Sequence, residues 1–566
     1  SAENTGSSST RHRPLRGKIG QATDNTAAAL VTADLASRSA ENDSALAPLR
    51  QPLFRALWIA AFASNIGTWI QDVGAAWLMT SLSASPVMVA LVRTASAFPM
   101  FLFALPAGAL ADVLDRRRLL LFTQALMLAA AAMLALLTFA GLTTPVTLLL
   151  LTFALGLGTA LNAPAWQAMV AELVPRAQLA PAVSLNSVSI NLARSVGPAI
   201  GGLLIAAVGP GATFAFNALS FCGVIYVLYR WRRQPVETVL PAERVYGAMR
   251  AGIRYVRHAP AVLAVLARSI AFTVFASALL ALLPTLARFE LGRGPAGYGV
   301  LLGFFGAGAV LSVTLLTRAR ATLSAERIVT VAVLSFAAAL FVLAWTPLPA
   351  LVDFAVFVAG GAWLALLSTF NSSIQAVVPS WVRGRALAIS ILVFFGSMAL
   401  GAAVWGYVAA SFGLTVTYTA AAIGALIGLA ATHRLRIAKG EALDLSPSVH
   451  WPALNIVKEF PSHRGPVVVT VEYVIDPEQA RHFRRVMRRV RRIRRRDGAI
   501  SWGLLADVER DDRYTETFVV ESWLEHLRQH ERVTVTDRAL LQKASSFHVG
   551  GEPPRVTHYV VEPLSS

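Results

Sequence analysis

Charged side chains occur in this chain where charge is expensive. Asp72, Arg93 and Arg194 each fall inside an apolar stretch of about membrane-spanning length. At such depth a charge costs about 2.5–3.5 kcal/mol on insertion scales and normally faces a cavity or a partner. Asp72 and Arg93 each lie roughly 10–12 Å from the same edge of consecutive stretches, so they could pair. Such a pair would either fix the first two helices or serve as a proton-coupling carboxylate with its counter-charge. Arg194 lies roughly 16 Å into the fifth stretch, near mid-bilayer, where it could bind an anionic substrate group. Asn65, Gln71, Asn162, Asn191, Asn217, Asn371 and Gln375 could line a cavity or glue helices together.

The elements that must position these residues are twelve apolar stretches between Pro52 and Thr432. Five of the gaps between them (112–118, 171–181, 230–260, 318–327 and 380–385) hold sixteen Arg and no Lys. The alternating gaps hold only Arg288 and Arg293. Because Lys and Arg of short loops are retained on the cytoplasmic side, this predicts twelve crossings of the plasma (inner) membrane with both termini cytoplasmic. With 566 residues, 55% hydrophobic and mean hydropathy +0.57, the chain is too apolar for an ordinary soluble protein. Its net charge of +18 follows from cytoplasmic retention and from contact with anionic lipid headgroups, with no nucleic-acid partner needed. A single Cys222 excludes a disulfide framework and a Cys-based metal site.

Along the chain, residues 1–50 are rich in Ser, Thr, Ala and Asn and read as a disordered cytoplasmic tail. A six-helix bundle (51–229), a central cytoplasmic loop (230–260) and a second six-helix bundle (261–432) follow. Within the loop, Ala242–His258 reads as a basic surface helix with Val245, Met249, Ile253 and Val256 on one side. A shift of 204 positions superposes Val174-Pro175 on Val378-Pro379, Gly197 on Gly401 and Gly202 on Gly406. Internal repeats about a central loop suit a secondary transporter, in which two similar bundles rock about a site between them. After a linker (433–464), residues 465–566 alternate as βαββαβ, the order of a ferredoxin-like α+β domain. Ten of the sixteen residues Arg481–Arg496 are Arg, beside an apolar face of Phe483, Val486, Met487, Val490 and Ile493. His482, His526, His530, His548 and His558 show no metal-ligand spacing, and neither a cofactor nor a catalytic site is expected.

The loop after the second stretch reads Gly108-Ala-Leu-Ala-Asp112-Val-Leu-Asp115-Arg116-Arg117-Arg118. It resembles the G-x-x-x-D-[RK]-x-G-[RK]-R-[RK] motif of the major facilitator superfamily, with Val113 and Asp115 as departures. The resemblance implies a latch that joins the two halves in the outward-facing state; a plain topogenic Arg cluster is the alternative. Gly197-Pro198-Ala-Ile-Gly201-Gly202 resembles the antiporter motif of exporters in that superfamily, without the glycines further upstream. There Pro198 would kink the helix and the glycines would admit a close neighbour. Thr152 stands where the superfamily usually carries an Arg tied to proton transfer.

Taken together, residues 50–566 resemble the transmembrane secretion effector group, which includes the enterobactin exporter, with a tail similar to the antibiotic-biosynthesis monooxygenase-like module. The resemblance implies an all-α membrane protein of twelve transmembrane helices in two bundles with a ferredoxin-like tail. It implies export of a siderophore, antibiotic or other small amphipathic cargo by alternating access and proton antiport, and a dimer through the tail. A nutrient importer of the same fold and a bifunctional protein whose tail modifies the cargo are the competing readings.

Overall fold

The computed structural model describes residues 46–231, 245–437 and 464–561, with 444–446 and 448. Residues 1–45 of the expected tail (1–50), the first part of the central loop and most of the linker lie outside the described residues, and Ala47–Arg50 forms a short helical turn. The membrane-spanning helices are α1 (Pro52–Leu82), α2 (Pro86–Val113), α3 (Arg116–Phe139), α4 (Pro145–Leu173), α5 (Leu179–Val208) and α6 (Pro210–Arg230). After a basic helix α7 (Val245–His258) come α8 (Pro260–Thr285), α9 (Pro295–Thr322), α10 (Ala325–Trp345), α11 (Pro349–Val377) and α12 (Ser380–Thr432). Pro52, Pro86, Pro145, Pro210, Pro260, Pro295 and Pro349 each open a helix. A first-turn N–H has no intrahelical partner, so proline costs nothing there and presets the helical φ.

Among the described residues, eleven apolar helices therefore stand where twelve were expected. The difference lies in α12, whose 53 residues would run about 80 Å at 1.5 Å per residue, far beyond the bilayer core. Gly413 breaks it with φ +80°, a left-handed conformation that glycine adopts without a Cβ clash. The expected gap at 411–413 is thus a glycine bend between two arms, 380–412 and 414–432.

Within each half, close helix approach depends on missing side chains. A Cβ on Gly74 would fall 2.0 Å from Thr213 Oγ1, and one on Gly308 1.9 Å from the Phe357 carbonyl oxygen. The halves meet through α5 with α9 and through α2 with α12. A Cβ on Gly202 would lie 2.7 Å from Gly299 Cα, and one on Gly406 2.6 Å from Ala90 Cβ. Thr94 Oγ1 donates to the Ala399 carbonyl (3.0 Å), and Arg288 donates to Thr80 and Ser81. These contacts lie between the helix midpoints and the end remote from the tail domain, hereafter the far end.

The tail carries β1 (Val467–Val474), α13 (Ala480–Asp497), β2 (Ser501–Ala506), β3 (Arg513–Val520), α14 (Trp523–Arg532), α15 (Val535–Ser545) and β4 (Arg555–Val560). The sheet is antiparallel in the order β2-β3-β1-β4, with Val469 opposite both Phe518 and His558. Phe483, Met487 and Val490 of α13 bury against Val471, Tyr473 and Ile475. Beneath them Arg494 pairs with Glu516 at 3.1 Å, and Trp502 Nε1 donates to the same carboxylate.

Helix α7 differs from its expected role. Among its residues with described side chains, Ala251, Gly252, Tyr255 and Val256 are buried; of the expected face, Val256 is buried, Met249 half-buried and Ile253 exposed. The reason is a partner no local pattern reveals, because α7 lies between the bundle and the tail. Arg254 pairs with Glu525 (2.8 Å), Arg496 stacks over the Tyr255 ring (5.5 Å), and Tyr255 meets Trp381 edge-on. Arg532 lies over Trp381 at 4.6 Å and also pairs with Glu525.

Candidate functional site

The three intramembrane charges converge. Asp72 on α1 pairs with Arg93 on α2 at 3.5 Å, and both are partly buried. Arg194 on α5 stacks over the Trp69 ring at 5.4 Å and lies within Coulomb reach of Arg93. Tyr298, buried at the start of α9, interacts electrostatically with both Asp72 and Arg93 and stacks on Trp77 (6.0 Å). Asp72 thus faces Arg93, which also lies near a second guanidinium, and one site joins α1, α2 and α5 of the first half to α9 of the second. Chemically, the cluster can attract an anionic group and offers a carboxylate able to exchange a proton. Neither Tyr298 nor Trp69 carries a signal of the site in the sequence; both gain meaning only from helix rotation and cross-half packing.

The amide candidates separate into several environments. Gln71 and Asn217 are fully buried, and Asn217 Nδ2 donates to Gln71 Oε1, tying α1 to α6. Asn162 Oδ1 accepts from Thr123 Oγ1 and Gln124 Nε2, both at 3.2 Å, which ties α4 to α3. Asn65 Nδ2 reaches Ser189 Oγ at 3.4 Å. Asn191 is exposed and donates to the Ser187 carbonyl, and Gln375 donates to Asn371 one turn away.

In the expected latch, Asp115 caps α3 by accepting the Arg118 N–H (2.9 Å). Arg116 pairs with Glu172 at the end of α4, while Arg117 donates to the Leu228 and Tyr229 carbonyls ending α6. These partners all belong to the first half, and Arg118 is exposed. The Asp112 side chain lies outside the described residues. A Cβ on Gly108 would meet nothing within 4 Å. Its part of α2 lies at the tail-side end, away from the tight cross-half contacts, and Leu110 and Leu114 beside it are exposed.

The Gly-Pro segment of α5 is tightly enclosed. A Cβ on Gly197 would fall 2.6 Å from Trp69 Cβ, one on Gly201 3.2 Å from Ile70 Cα, and Gly202 meets Gly299 across the halves. Pro198 is buried within the helix. The repeat-related positions behave alike: Gly401 packs on Ser277 and Val274 of its own half, whereas Gly406 packs on α2 of the other.

The tail histidines gather despite their unpromising spacing. The His526 ring lies 4.5 Å from His530 and 4.8 Å from His558, because β4 runs beside α14. Burial, helped by His530, His558 and Arg494, outweighs the opposing Gln529 side chain and lowers the His526 imidazole to about 3. Among the described residues no His, Cys, Asp or Glu group is arranged to hold a metal ion.

Paired apolar halves, a glycine-packed seam and a polar cluster within the bilayer define a multi-pass membrane transporter. The chain belongs to the transmembrane secretion effector family of the major facilitator superfamily, which it matches over residues 43–565. It is 27% identical over 389 residues to the multidrug efflux pump Tap of Mycolicibacterium fortuitum, covering 67% of this chain and 94% of that one. It is also 30% identical over 163 residues to the staphyloferrin A transporter of Staphylococcus aureus, covering 29% of this chain but only 41% of that relative. Among solved structures, a bacterial homologue of the human lysosomal transporter Spinster, inward-facing and unoccupied, superposes with TM-score 0.55 at 16% identity, covering 69% of this chain and 97% of that one. A POT family transporter complexed with 5-aminolevulinic acid gives 0.56 at 13% identity, covering 68% and 96%. At such identities these structures speak to the fold alone.

Proposed function

We propose that the protein exports a small amphipathic molecule, a siderophore, antibiotic or other secondary metabolite, by proton-coupled alternating access in the bacterial inner membrane. The observation that carries this reading is the Asp72–Arg93–Arg194–Tyr298 cluster, which spans the seam between the halves. Arginine alternation places both termini in the cytoplasm and counts the two arms of α12 as separate crossings, twelve in all. In that orientation the far end is extracellular and closed by Gly202–Gly299 and Gly406–Ala90, an inward-facing state ready to load cargo. The described partners of Arg116 and Arg117 belong to their own half, as those of a released latch would. One uncompensated guanidinium would draw an anionic group of the cargo, and protonation of Asp72 would loosen its hold on Arg93. The Gly-Pro segment of α5 and the efflux function named for the Tap relative favour export over import. In the tail, strand order β2-β3-β1-β4 supports a ferredoxin-like reading, and a role in the enterobactin exporter group without catalysis fits it best.

Inside-out vesicles test the proposal. Cargo should accumulate only when the lumen is acid, and accumulation without a proton gradient would reject antiport. Exchange of labelled for unlabelled cargo separates the two readings of Asp72. In Asp72→Asn, exchange should persist while gradient-driven accumulation fails. Equal loss of exchange and of folded protein would leave Asp72–Arg93 a purely structural pair.

A further inference from the structure

A cavity of about 560 Å³ lies between the tail domain and the bundle. One wall is apolar and belongs to span ends: Pro260 and Val262 open α8, and Val377 closes α11. The facing wall carries Arg489 and Arg492 of α13 and Lys543 of α15. All three are exposed, and their side chains have no ion-pair or hydrogen-bond partner among the described residues. The remaining charges of the cavity are spent on one another. Arg496 is held by Asp497 and Asp537, and Asp537 also accepts from Thr534. What remains is a cleft with three cations unpaired among the described residues on one side and span ends on the other. Because Pro260 and Val377 end helices at one membrane surface, the cleft sits at headgroup depth.

We propose that this cleft binds an anionic glycerophospholipid, which joins the tail domain to the transporter core. The headgroup phosphate would meet Arg489, Arg492 and Lys543, and the acyl chains would run past the exposed Pro260 and the half-buried Ala261 into the bilayer. Charge complementarity selects an anionic over a zwitterionic lipid, since a choline headgroup would bring its own cation against the three. The inference rests on the multi-pass fold and holds whichever membrane face carries the tail.

The test uses the full-length protein in detergent. Phosphatidylglycerol should raise the melting temperature by several degrees, phosphatidylcholine should not, and glycerol 3-phosphate at equal concentration should not. Native mass spectrometry should show retained phosphatidylglycerol. Replacing Arg489, Arg492 and Lys543 together by Gln should remove the shift. Replacing Arg481, Arg484 and Arg488 by Gln, which removes equal charge from the same helix outside the cleft, should preserve it. A shift surviving in the cleft variant, or lost equally in both, would overturn the site. An equal response to glycerol 3-phosphate would identify a free anion as the occupant and overturn the lipid. If the triple variant does not fold, Arg492→Gln alone should retain at least several-fold less lipid by mass spectrometry; unchanged retention counts against the site.

Discussion

Arg194 and Trp69 illustrate how one residue acquires a role from its neighbours. A planar guanidinium over an indole ring is a cation–π contact that also fixes the direction of the charge. Arg194→Ala should reduce transport at least tenfold with the protein inserted and folded, and wild-type flux would refute its role. Arg194→Lys should recover only part of the flux, because the ammonium keeps the charge but loses the planar stack. In the tail, the His526 value near 3 lies below the ordinary value of about 6.5. A depressed value means that the unfolded chain binds the proton first. The contribution to stability is therefore full above about 6.5 and is lost as pH falls toward 3, by at most about 1.4 kcal/mol per pH unit. His526→Gln should flatten the melting temperature between pH 7 and pH 5 relative to wild type; an unchanged slope rejects the assignment. The charges within the spans were legible from their cost alone. Tyr298, reached from the other half, was not.

Helix α5 shows what an element adds. Its glycines are spaced so that Gly197 and Gly201 meet α1 of the same half while Gly202 meets α9 of the other, about a quarter-turn further round. Gly202→Ala places a methyl group 2.7 Å from Gly299 Cα, where neither backbone can yield cheaply. Overpacking of about 1–3 kcal/mol should shift the population away from far-end closure. A single cysteine introduced near Pro295 should then label faster from the far side, and unchanged labelling would show that the seam absorbs the methyl group. Motif spacing in α5 was legible because glycine clusters stand out in apolar sequence. The buried face of α7 matches the expected one at Val256 but not at Ile253, because amphipathicity reports an apolar stripe but not its partner, here Trp381 and the tail.

At the scale of the molecule, the tail is fastened to the bundle through Arg254, Glu525, Arg532 and Trp381. Burial raises the Glu525 carboxyl, but Arg532 and Arg254 outweigh it and hold the group below its ordinary value. Glu525→Arg should lower the melting temperature, and adding Arg254→Glu should restore part of the loss. A double-mutant coupling of about 0.5–3 kcal/mol is expected for groups in contact, and zero coupling would argue that the docked arrangement contributes nothing in solution.

By itself the sequence determined the elements: apolar length made the spans, and proline and glycine placed their ends, because each effect acts over a few residues. It determined also that charge at Asp72, Arg93 and Arg194 needed compensation. The tertiary structure decided who compensates whom, which ends of the halves meet, and that a strand histidine joins two helical ones. Those outcomes depend on how helices rotate and cross, and contacts between residues far apart in the chain leave no periodic trace along it.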